Sequence, residues 1–314
     1  MKTLYLVVPC YNEEEVLPET TKRLIEKFKM LVQNKAIKED SRVVYVNDGS
    51  KDKTWLLIEE IVSTNELFQG IKLSRNKGHQ NALLAGLMYA KDKADIVISM
   101  DADLQDDINA IDQFIEKNNQ GFDVIYGVRS ARKTDTFFKK TSAELFYKLM
   151  KLLGADIVYN HADYRLMSKR ALEGLSEFNE VNLFLRGIVP LIGYRSTTVE
   201  YERNERFLGE SKYPLKKMLN FAFDGITSFS VKPIRLITML GFIVFSISML
   251  LLVYFFYTYF AGKTVQGWAT TVISIWALGG LQLLAIGIIG EYIAKTYTEA
   301  KQRPKYIIES IIGK

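Results

Sequence analysis

The first part of the chain alternates short apolar runs with stretches of helical spacing. Apolar runs rich in β-formers predict five strands, at Leu4–Val8, Val43–Val46, Ile71–Leu73, Ile96–Met100 and Val124–Tyr126. Helical spacing predicts four helices between them, at Glu14–Met30, Thr54–Val62, Gln80–Tyr89 and Ile108–Asn118. Near-continuous apolar strands separated by helices indicate an α/β fold with a mostly parallel sheet, covered on both faces.

Beyond residue 130 the pattern is looser. Lys139–Leu153 has the spacing of an amphipathic helix, and Asp163–Ser168 leads into another helix. Tyr201–Tyr213 is polar and interrupted by glycine, which predicts a mobile loop. The stretch from Pro214 has a broad apolar side accompanied by lysines, as in a helix that lies in a membrane interface. A helix packed on the preceding domain is the alternative.

Two long uncharged runs follow, at Leu236–Phe260 and Gly267–Gly290. Each is long enough to cross roughly 30 Å of hydrocarbon as a helix, and neither has a polar face. The link at 261–266 is very short, which predicts an antiparallel transmembrane hairpin. Lysine and arginine concentrate before the first run and after the second, so we expect both termini in the cytoplasm and the chain in the inner (plasma) membrane. The run at Leu4–Val8 is too short for a signal peptide.

The expected organisation follows from these elements. It comprises a cytoplasmic domain over 1–210, a juxtamembrane amphipathic region over 211–233, transmembrane helices over 234–260 and 267–292, and a cytoplasmic tail over 293–314. The net charge of +5 is mostly explained by lysine and arginine near the membrane, so it does not indicate nucleic-acid binding. Cys10 is the one cysteine of the chain and allows no internal disulfide.

Polar clusters follow each of the first four predicted strands, at residues 9–13, 47–50, 74–78 and 101–107. Any one of them could be an ordinary turn. In an open parallel sheet the carboxyl ends of the strands lie at one edge, where ligands bind. Four polar clusters at that edge therefore predict a binding site.

Asp101 and Asp103 flank one residue at the end of the fourth predicted strand. Ionised carboxylates are rarely buried unless they are paired or bind a metal. A hard divalent cation, Mg²⁺ or Mn²⁺, suits them, and such ions often share their coordination with substrate phosphates. Gln105 adds a neutral oxygen ligand. A solvated turn is the alternative for an isolated Asp-x-Asp.

Several motifs, as an ordered set, carry a family resemblance that covers essentially the whole chain. They are Val-Val-Pro-Cys-Tyr-Asn-Glu-Glu from Val7, Val-Asn-Asp-Gly-Ser from Val46, Leu-Ser-Arg-Asn-Lys-Gly from Leu73, Met-Asp-Ala-Asp-Leu-Gln-Asp from Met100, Gly-Val-Arg from Gly127, Asp-Tyr-Arg-Leu-Met-Ser from Asp163 and Arg-Phe-Leu-Gly-Glu-Ser-Lys-Tyr from Arg206. The chain resembles the family 2 glycosyltransferases of the GT-A, Rossmann-like fold, in their polyprenyl-phosphate branch. That branch includes dolichol-phosphate mannose synthases and bactoprenol glucosyltransferases.

The resemblance implies a donor site for a nucleotide-diphosphate sugar. Its nucleotide-sugar residues would be Pro9, Tyr11, Glu13, Asp48, Asp101 and Ala102, and its metal ligands Asp101, Asp103 and Gln105. The cation would neutralise charge on the departing nucleotide. Turn capping is the alternative role for Asp48. Arg75 and Lys77 either contact the nucleotide or form a solvated loop edge.

The resemblance also implies a polyprenyl-phosphate acceptor. Guanidinium groups grip phosphates bidentately, and the residues expected to bind the acceptor phosphate are Arg129, Arg165, Arg203, Arg206 and Lys212. Asp163 and Asp103 would be the catalytic carboxylates. Because a phosphate acceptor is already ionised, Asp163 would orient the acceptor or the arginines, or act as a base. His79 and His161 are expected to be packed or solvated histidines.

We therefore expect inverting transfer of a hexose, glucose from UDP-glucose in the first instance, to undecaprenyl phosphate for envelope glycosylation. UDP-GlcNAc, UDP-galactose and GDP-mannose are alternative donors. A processive polysaccharide synthase and a non-catalytic nucleotide-sugar binder are the alternative functions. Small residues in the second apolar run permit close helix packing, and the expected assembly is a homo-oligomer, with a tetramer favoured.

Overall fold

The computed structural model describes residues 1–129, 161–181, 183–202, 232–261 and 268–313. The chain divides into two compact units. The first comprises residues 1–147, 156–213 and 303–314, and the second comprises residues 148–155 and 214–302.

An eight-stranded sheet forms the centre of the first unit. Its strands are β1 (Leu4–Cys10), β2 (Arg42–Asn47), β3 (Phe68–Leu73), β4 (Ile96–Ser99), β5 (Val124–Arg129), β6 (His161–Ser168), β7 (Ser196–Tyr201) and β8 (Ile308–Ile312). Their order across the sheet is β7-β5-β6-β4-β1-β2-β3-β8. The β1–β2, β1–β4, β2–β3 and β5–β7 pairs are parallel, and β6 and β8 pair antiparallel with their neighbours. The predicted α/β class with a mostly parallel sheet is confirmed.

The described helices of this unit are α1 (Leu17–Gln33), α2 (Thr54–Thr64), α3 (His79–Ala90), α4 (Ala110–Asn119), α5 (Lys169–Ser176) and α6 (Leu185–Leu191). Helix α1 begins at Leu17, three residues later than the pattern predicts. Pro18 occupies its first turn, where a missing N–H costs nothing, and the Glu13 carbonyl accepts from the Val16 and Leu17 amides in a preceding turn.

The core lies on both sides of the central strands. Every residue of β1 is buried, as expected for a strand between two others in a covered sheet. Helix α3 packs so tightly on this strand that a Cβ at Gly86 would come within 2.3 Å of a Val7 methyl carbon. The helix that starts directly after the third polar cluster is therefore held firmly against the sheet.

Three strands were not predicted from the apolar pattern. β6 inserts antiparallel between β4 and β5, and β7 pairs in parallel with β5. β8 lies in the segment expected to be a cytoplasmic tail, and it pairs antiparallel with β3. Lys72 and Glu309 form an ion pair at 2.7 Å across this edge. Residues 303–313 thus fold with the first unit.

The second unit contains helix α7 (Lys232–Phe260) and helix α8 (Trp268–Lys301). Helix α8 continues past residue 292, the predicted end of the second span. Among the residues described, Leu278–Lys301 is the one stretch whose length and composition pass as a membrane-crossing helix. The predicted two-span hairpin is therefore not confirmed. The predicted helices at Lys139–Leu153 and after Pro214 lie outside the described residues.

Candidate functional site

Four loops at the carboxyl ends of β1 to β4 form what we call the loop half of the site: residues 11–16, 48–53, 74–78 and 100–107. The first two loops are joined by hydrogen bonds. The Asn12 amide donates to Ser50 Oγ at 3.0 Å, and the Lys51 amide donates to Asn12 Oδ1 at 2.9 Å. The backbone amides of these loops donate to short polar side chains because they have no hydrogen-bond partner in a neighbouring strand, as is usual in turns.

Asp48 joins the second loop to the third. Its carboxylate accepts from the Lys77 amide at 2.7 Å and from the Gly78 amide at 2.9 Å, and the residue is buried. Burial raises the pKa of Asp48, and the two backbone donors oppose that shift. Gly49 allows this approach, because its φ is +62° and a Cβ there would lie 2.5 Å from the Asn76 amide nitrogen. Asp48 therefore caps amides of the neighbouring loop and not of its own turn, and its contact with the nucleotide stays a prediction.

The remaining residues predicted for the nucleotide wall follow the same edge. Pro9 is buried near the end of β1, and Tyr11 follows it with 37 % of its surface exposed. The Glu13 amide donates to Thr54 Oγ1 at 2.9 Å. Ala102 is buried, and its carbonyl accepts from Thr20 Oγ1 at 2.9 Å. Because β4, β1 and β2 are adjacent and parallel, these residues belong to one edge of the sheet.

Asp101, Asp103 and Gln105 lie in the fourth loop. The Gln105 amide donates to Asp103 Oδ1 at 3.2 Å, and Leu104 between them has a φ of +58°, a left-handed conformation that is costly for a branched apolar residue. Burial of the Leu104 side chain helps to hold this turn. Nowhere in the described residues do three or more His, Cys, Asp or Glu side chains group as a metal site.

The donor set nevertheless fits a hard cation that completes its coordination with ligand oxygens. All three side chains offer oxygen, which Mg²⁺ and Mn²⁺ prefer. Desolvation raises the pKa of Asp101, and the nearby charges of Asp163 and Asp103 raise it further against the opposing effect of His79. Carboxylates crowded in this way gain stability from a divalent cation between them.

The strand half of the site consists of Arg129, Asp163, Arg165 and Tyr201 on β5 to β7, with Arg186 of α6. Asp163 is its centre. Its Oδ1 accepts from Arg165 Nη2 at 2.8 Å and from Arg186 Nε at 3.2 Å, and its Oδ2 accepts from Arg186 Nη2 at 3.1 Å. Desolvation alone would raise the pKa of Asp163, but Arg186, His79 and Arg165 outweigh it and hold that pKa well below its ordinary value. Asp163 is therefore a firmly ionised carboxylate.

The two arginines reach Asp163 from different elements. Arg165 is 1 % exposed, lies two residues along β6 and also donates to the Leu185 carbonyl at 3.4 Å. Gln80 Oε1 accepts from the Leu185 amide at 2.8 Å, which ties the start of α6 to the start of α3. Arg186 is the next residue after Leu185. The contact between Leu185 and Gln80 therefore fixes the backbone position of Arg186, the more exposed of the two arginines.

His79 connects the two halves. Its Nε2 lies 3.5 Å from Asp101 Oδ1 and 3.6 Å from Asp163 Oδ2. Desolvation lowers the pKa of His79, but the neighbouring carboxylates of Asp163 and Asp101 prevail and raise it to about 9. The imidazole is thus a cation at neutral pH. A packed or solvated histidine was expected here, and the structure instead gives it two carboxylate neighbours.

A second charged group contains Arg129. Its Nη2 lies 3.6 Å from Asp106 Oδ1, and the Tyr201 hydroxyl donates to the same oxygen at 2.5 Å. Desolvation and the charge of Asp101 raise the pKa of Asp106 to about 6, while Arg129 and Tyr201 oppose the shift. The end of β5, the end of β7 and the fourth loop therefore meet at one carboxylate.

The structure thus describes some predicted phosphate ligands and not others. Arg129 keeps 23 % of its side chain exposed, whereas Arg165 is enclosed beside Asp163 and in this conformation presents no surface to a ligand. Arg203, Arg206 and Lys212 lie outside the described residues. His161 begins β6 and pairs with Val128 in the sheet.

Three site residues were missed by reasoning from the sequence, namely His79, Arg186 and Tyr201, whereas Asp106 was predicted only as a member of the polar cluster at 101–107. His79 follows the third polar loop directly, and Asp106 follows Gln105, so position along the chain was an available signal for both. Arg186 and Tyr201 had no such signal, because their partners are distant in sequence.

Comparisons with known proteins agree on one family for this chain. Residues 5–176 match the family described as glycosyl transferase family 2. The chain is 56 % identical over 306 residues to the uncharacterized glycosyltransferase YkoT of Bacillus subtilis, covering 98 % of this chain and 91 % of that protein. It is 42 % identical over 307 residues to the bactoprenol glucosyl transferase of Shigella phage SfV, covering 97 % of each.

Among solved structures, the chain is similar to the mannosyltransferase PcManGT of Pyrobaculum calidifontis in complex with GDP-Man and Mn²⁺. The TM-score is 0.47 at 16 % identity, over 94 % of this chain and 84 % of that one. The family match spans more than half of the chain, and the relatives match almost all of it. The chain therefore belongs to glycosyl transferase family 2 and is a glycosyltransferase with a GT-A-like α/β fold.

Proposed function

We propose that this glycosyltransferase transfers a hexose, glucose from UDP-glucose in the first instance, to undecaprenyl phosphate at the cytoplasmic face of the inner membrane. The product would be a polyprenyl-phosphate β-linked sugar. Support for the lipid acceptor comes from relatives of nearly the same length that are named bactoprenol glucosyl transferases, at 42 % identity.

The observation that carries the proposal is the position of His79 between the two halves of the site. His79 Nε2 lies 3.5 Å from Asp101 and 3.6 Å from Asp163. Asp101 belongs to the carboxylate pair suited to a cation and a diphosphate, and Asp163 holds two arginines. A glycosyltransferase must bring a donor diphosphate and an acceptor to one sugar carbon. The carboxylates suited to a cation and the arginines suited to an acceptor phosphate both lie next to His79, which meets that requirement.

A membrane hairpin is supported by the C-terminal strand. β8 pairs with β3 inside the first unit, so the chain must leave and re-enter that unit on the same side of any bilayer. This requires an even number of crossings. If α8 crosses, one further crossing is needed, and α7 contains the uncharged run Leu236–Phe260 that is long enough to supply it.

In the proposed reaction, Asp101, Asp103 and Gln105 would hold a divalent cation, Mg²⁺ or Mn²⁺. When bound, such an ion supplies charge neutralisation for the leaving nucleoside diphosphate. Among the described residues, His79 and Arg129 are cations whose charges act on Asp101, and the His79 imidazole lies 3.5 Å from that carboxylate. Asp101 therefore has both positively and negatively charged neighbours.

Asp163 acts in this proposal by orienting cations and not as a base. Both of its oxygens accept from arginine N–H groups, and its pKa is well below the ordinary range. An ionised phosphate acceptor has no proton to lose. An acceptor oxygen forms the new bond to the anomeric carbon while the bond to the diphosphate oxygen breaks and its electron pair leaves with the nucleotide. Attack opposite to the leaving group converts an α-linked donor into a β-linked product.

The arginines are assigned to the acceptor phosphate. Arg129 is partly exposed at the end of β5, and Arg186 approaches Asp163 with 29 % of its side chain exposed. Guanidinium groups bind phosphate oxygens bidentately. Arg165 is enclosed, so its proposed part is to hold Asp163. Arg203, Arg206 and Lys212 remain expected phosphate ligands.

The test is transfer of labelled sugar into butanol-extractable lipid by the purified full-length protein in bilayer discs. UDP-glucose, UDP-GlcNAc, UDP-galactose and GDP-mannose are each offered with undecaprenyl phosphate, with and without Mg²⁺ or Mn²⁺. We expect divalent-dependent product with UDP-glucose above the other donors. A different preferred donor corrects the sugar, and no lipid product with any donor rejects the proposal.

The same assay distinguishes the other functions. Polymeric product would indicate a processive synthase. Saturable donor binding without turnover on any lipid phosphate would indicate a nucleotide-sugar binder. The assembly state, for which a homo-oligomer with a tetramer favoured is the prediction, is measured on the same sample by light scattering.

A further inference from the structure

Tyr201 is the last residue of β7 and joins two charged side chains through one buried hydroxyl. Only 5 % of the residue is exposed. Its oxygen donates to Asp106 Oδ1 at 2.5 Å and accepts from Arg129 Nε at 3.3 Å. Because Arg129 Nη2 also lies 3.6 Å from Asp106 Oδ1, the three side chains form a closed ring of contacts.

The fold brings this ring together from three elements. Arg129 and Tyr201 are direct neighbours in the parallel pairing of β5 with β7. Asp106 comes from the fourth loop and is 2 % exposed. A buried carboxylate is stable only with compensating partners, so Asp106 favours a position of Arg129 close to it.

The aromatic ring of Tyr201 is held independently of its hydroxyl. It packs edge-to-face on Tyr164, with ring centroids 5.3 Å apart and planes at 85°. A Cβ at Gly127 would lie 3.0 Å from Tyr201 Cε1 and 2.8 Å from the Tyr164 carbonyl oxygen, so glycine is what lets the ring sit here. A change at the hydroxyl should therefore leave the ring in place.

We infer that Tyr201 and Asp106 are positioning residues that hold the Arg129 guanidinium ready for the acceptor phosphate. The inference rests on the proposed function, in which Arg129 binds that phosphate. An arginine side chain has many rotamers, and a ligand that orders the side chain must otherwise overcome this loss of entropy. Guanidinium has five N–H donors, so contacts with Tyr201 and Asp106 are compatible with a phosphate contact.

Tyr201→Phe tests the inference, because it removes the hydroxyl and retains the ring. We expect the KM for undecaprenyl phosphate to rise roughly three- to tenfold, the range for loss of one hydrogen bond. The kcat and the KM for the sugar donor should stay within twofold. Should Tyr201→Phe fail to fold, Asp106→Asn removes the negative charge that faces Arg129 and should shift the acceptor KM in the same direction.

Tyr164→Phe is the matched control. It also removes one buried tyrosine hydroxyl, which donates to the Asp107 carbonyl at 3.0 Å, and it belongs to the same ring stack. We expect its acceptor KM to stay within twofold of wild type. An equal rise in both variants, or a fall in Tm with no change in acceptor KM for Tyr201→Phe, would mean a structural role and overturn the inference.

Arg129→Gln tests the proposed phosphate contact separately from the positioning role of Tyr201. If Arg129→Gln leaves the acceptor KM unchanged, the proposed phosphate contact is wrong and the inference falls with it. If Arg129→Gln raises that KM while Tyr201→Phe does not, the inference alone is overturned. In the double variant, Tyr201→Phe should add less than twofold to the effect of Arg129→Gln, since it acts through that arginine. Additive effects would contradict it.

Discussion

The loop half and the strand half of the site are built by different interactions. In the loop half, side-chain oxygens accept from backbone amides: Asn12 from Lys51, and Asp48 from Lys77 and Gly78. In the strand half, charged side chains hold one another, as Asp163 does with Arg165 and Arg186. The first half uses local turn chemistry, and the second uses ion pairs between distant parts of the chain.

The difference has an energetic consequence. A surface turn that loses a side chain can recruit water for its amides. An enclosed ion pair that loses one partner leaves an uncompensated charge, which typically costs about 3–5 kcal/mol. We therefore expect substitutions in the strand half to lower both stability and activity. Substitutions of partly exposed metal ligands in the loop half should lower activity alone.

Asp163→Asn should have the largest effect. It leaves Arg165, which is 1 % exposed, without its carboxylate, so the free energy of unfolding should fall by about 3–5 kcal/mol. Such a loss lowers Tm by roughly 2–4 °C per kcal/mol in a domain of this size. Lipid glycosylation should fall as well. Tm in detergent and product formation are the two measurements.

Glu19→Gln is the control for this substitution. It breaks an exposed ion pair with Arg23, which has a similar N–O distance of 2.8 Å, and should leave Tm unchanged within error. Because the pKa of Asp163 is lowered in the folded protein, its stabilising charge is present above the ordinary value of 3.8 and is lost as the pH falls below it. The Tm difference from wild type should therefore be constant from pH 7 to about pH 5 and shrink in stronger acid. An unchanged Tm at pH 7 would contradict the distinction between the two halves.

Asp103→Ala should have the next largest effect, confined to activity. If Asp103 helps to hold the cation, its loss should lower kcat by about 100- to 1000-fold, the range for loss of one electrostatic contact to the developing charge. Tm should change little, because Asp103 is only partly buried and its carboxylate accepts from the Gln105 amide within its own turn. Asp107→Ala removes a carboxylate from the same loop and should retain activity. Activity retained in Asp103→Ala would remove the metal role.

The loop half could largely be predicted from the sequence, because its determinants are close together in the chain. Asn-Asp-Gly-Ser after an apolar run predicts a turn at the end of a strand, and Asp101 follows a strand in the same way. Parallel strands then bring those turns to one edge. That Asp48 accepts from Lys77 and Gly78 required the structure, since the two loops meet only through the neighbouring strands β2 and β3.

The strand half could not be derived from spacing. Arg186 meets Asp163 because α6 starts against Gln80, and no local pattern encodes that contact. Only the family resemblance pointed to Asp163 and Arg129. β8 was missed for a different reason. A short apolar run after a long apolar helix has no feature that distinguishes a sheet edge from a tail, and its partner β3 lies more than two hundred residues earlier.

Asp48→Asn should have an effect of intermediate size, because Asp48 is a buried member of the loop half. Asparagine has one acceptor oxygen where aspartate has two, so one of the two loop amides loses its partner. A buried unsatisfied donor costs about 1–3 kcal/mol, which predicts a modest fall in Tm. If Asp48 also contacts the nucleotide, the donor KM should rise. Asp52→Asn, in the same loop, is the control and should leave the donor KM unchanged.

The smallest expected effect comes from Arg170→Met, which breaks an ion pair outside the site. Arg170 donates to both oxygens of Asp123, but its side chain is 60 % exposed. The hydrogen bond from Arg170 is the main cause that lowers the pKa of Asp123, so the contribution is present at neutral pH and is lost as the pH falls below the ordinary value of 3.8. Tm at pH 7 should fall by about 1–2 °C, and the difference should be smaller at about pH 3.

Lys169→Met, a change at the adjacent exposed cation, should leave Tm unchanged at both pH values. The pair of Arg170 with Asp123 and the pair of Arg186 with Asp163 use the same chemical groups, but the side chain of Arg170 is 60 % exposed and that of Arg186 is 29 % exposed. If exposure determines the energy of such pairs, Asp163→Asn must cost several times more than Arg170→Met. Equal losses of Tm would mean that enclosure is not what makes the strand half fragile, and the contrast with the loop half would need another cause.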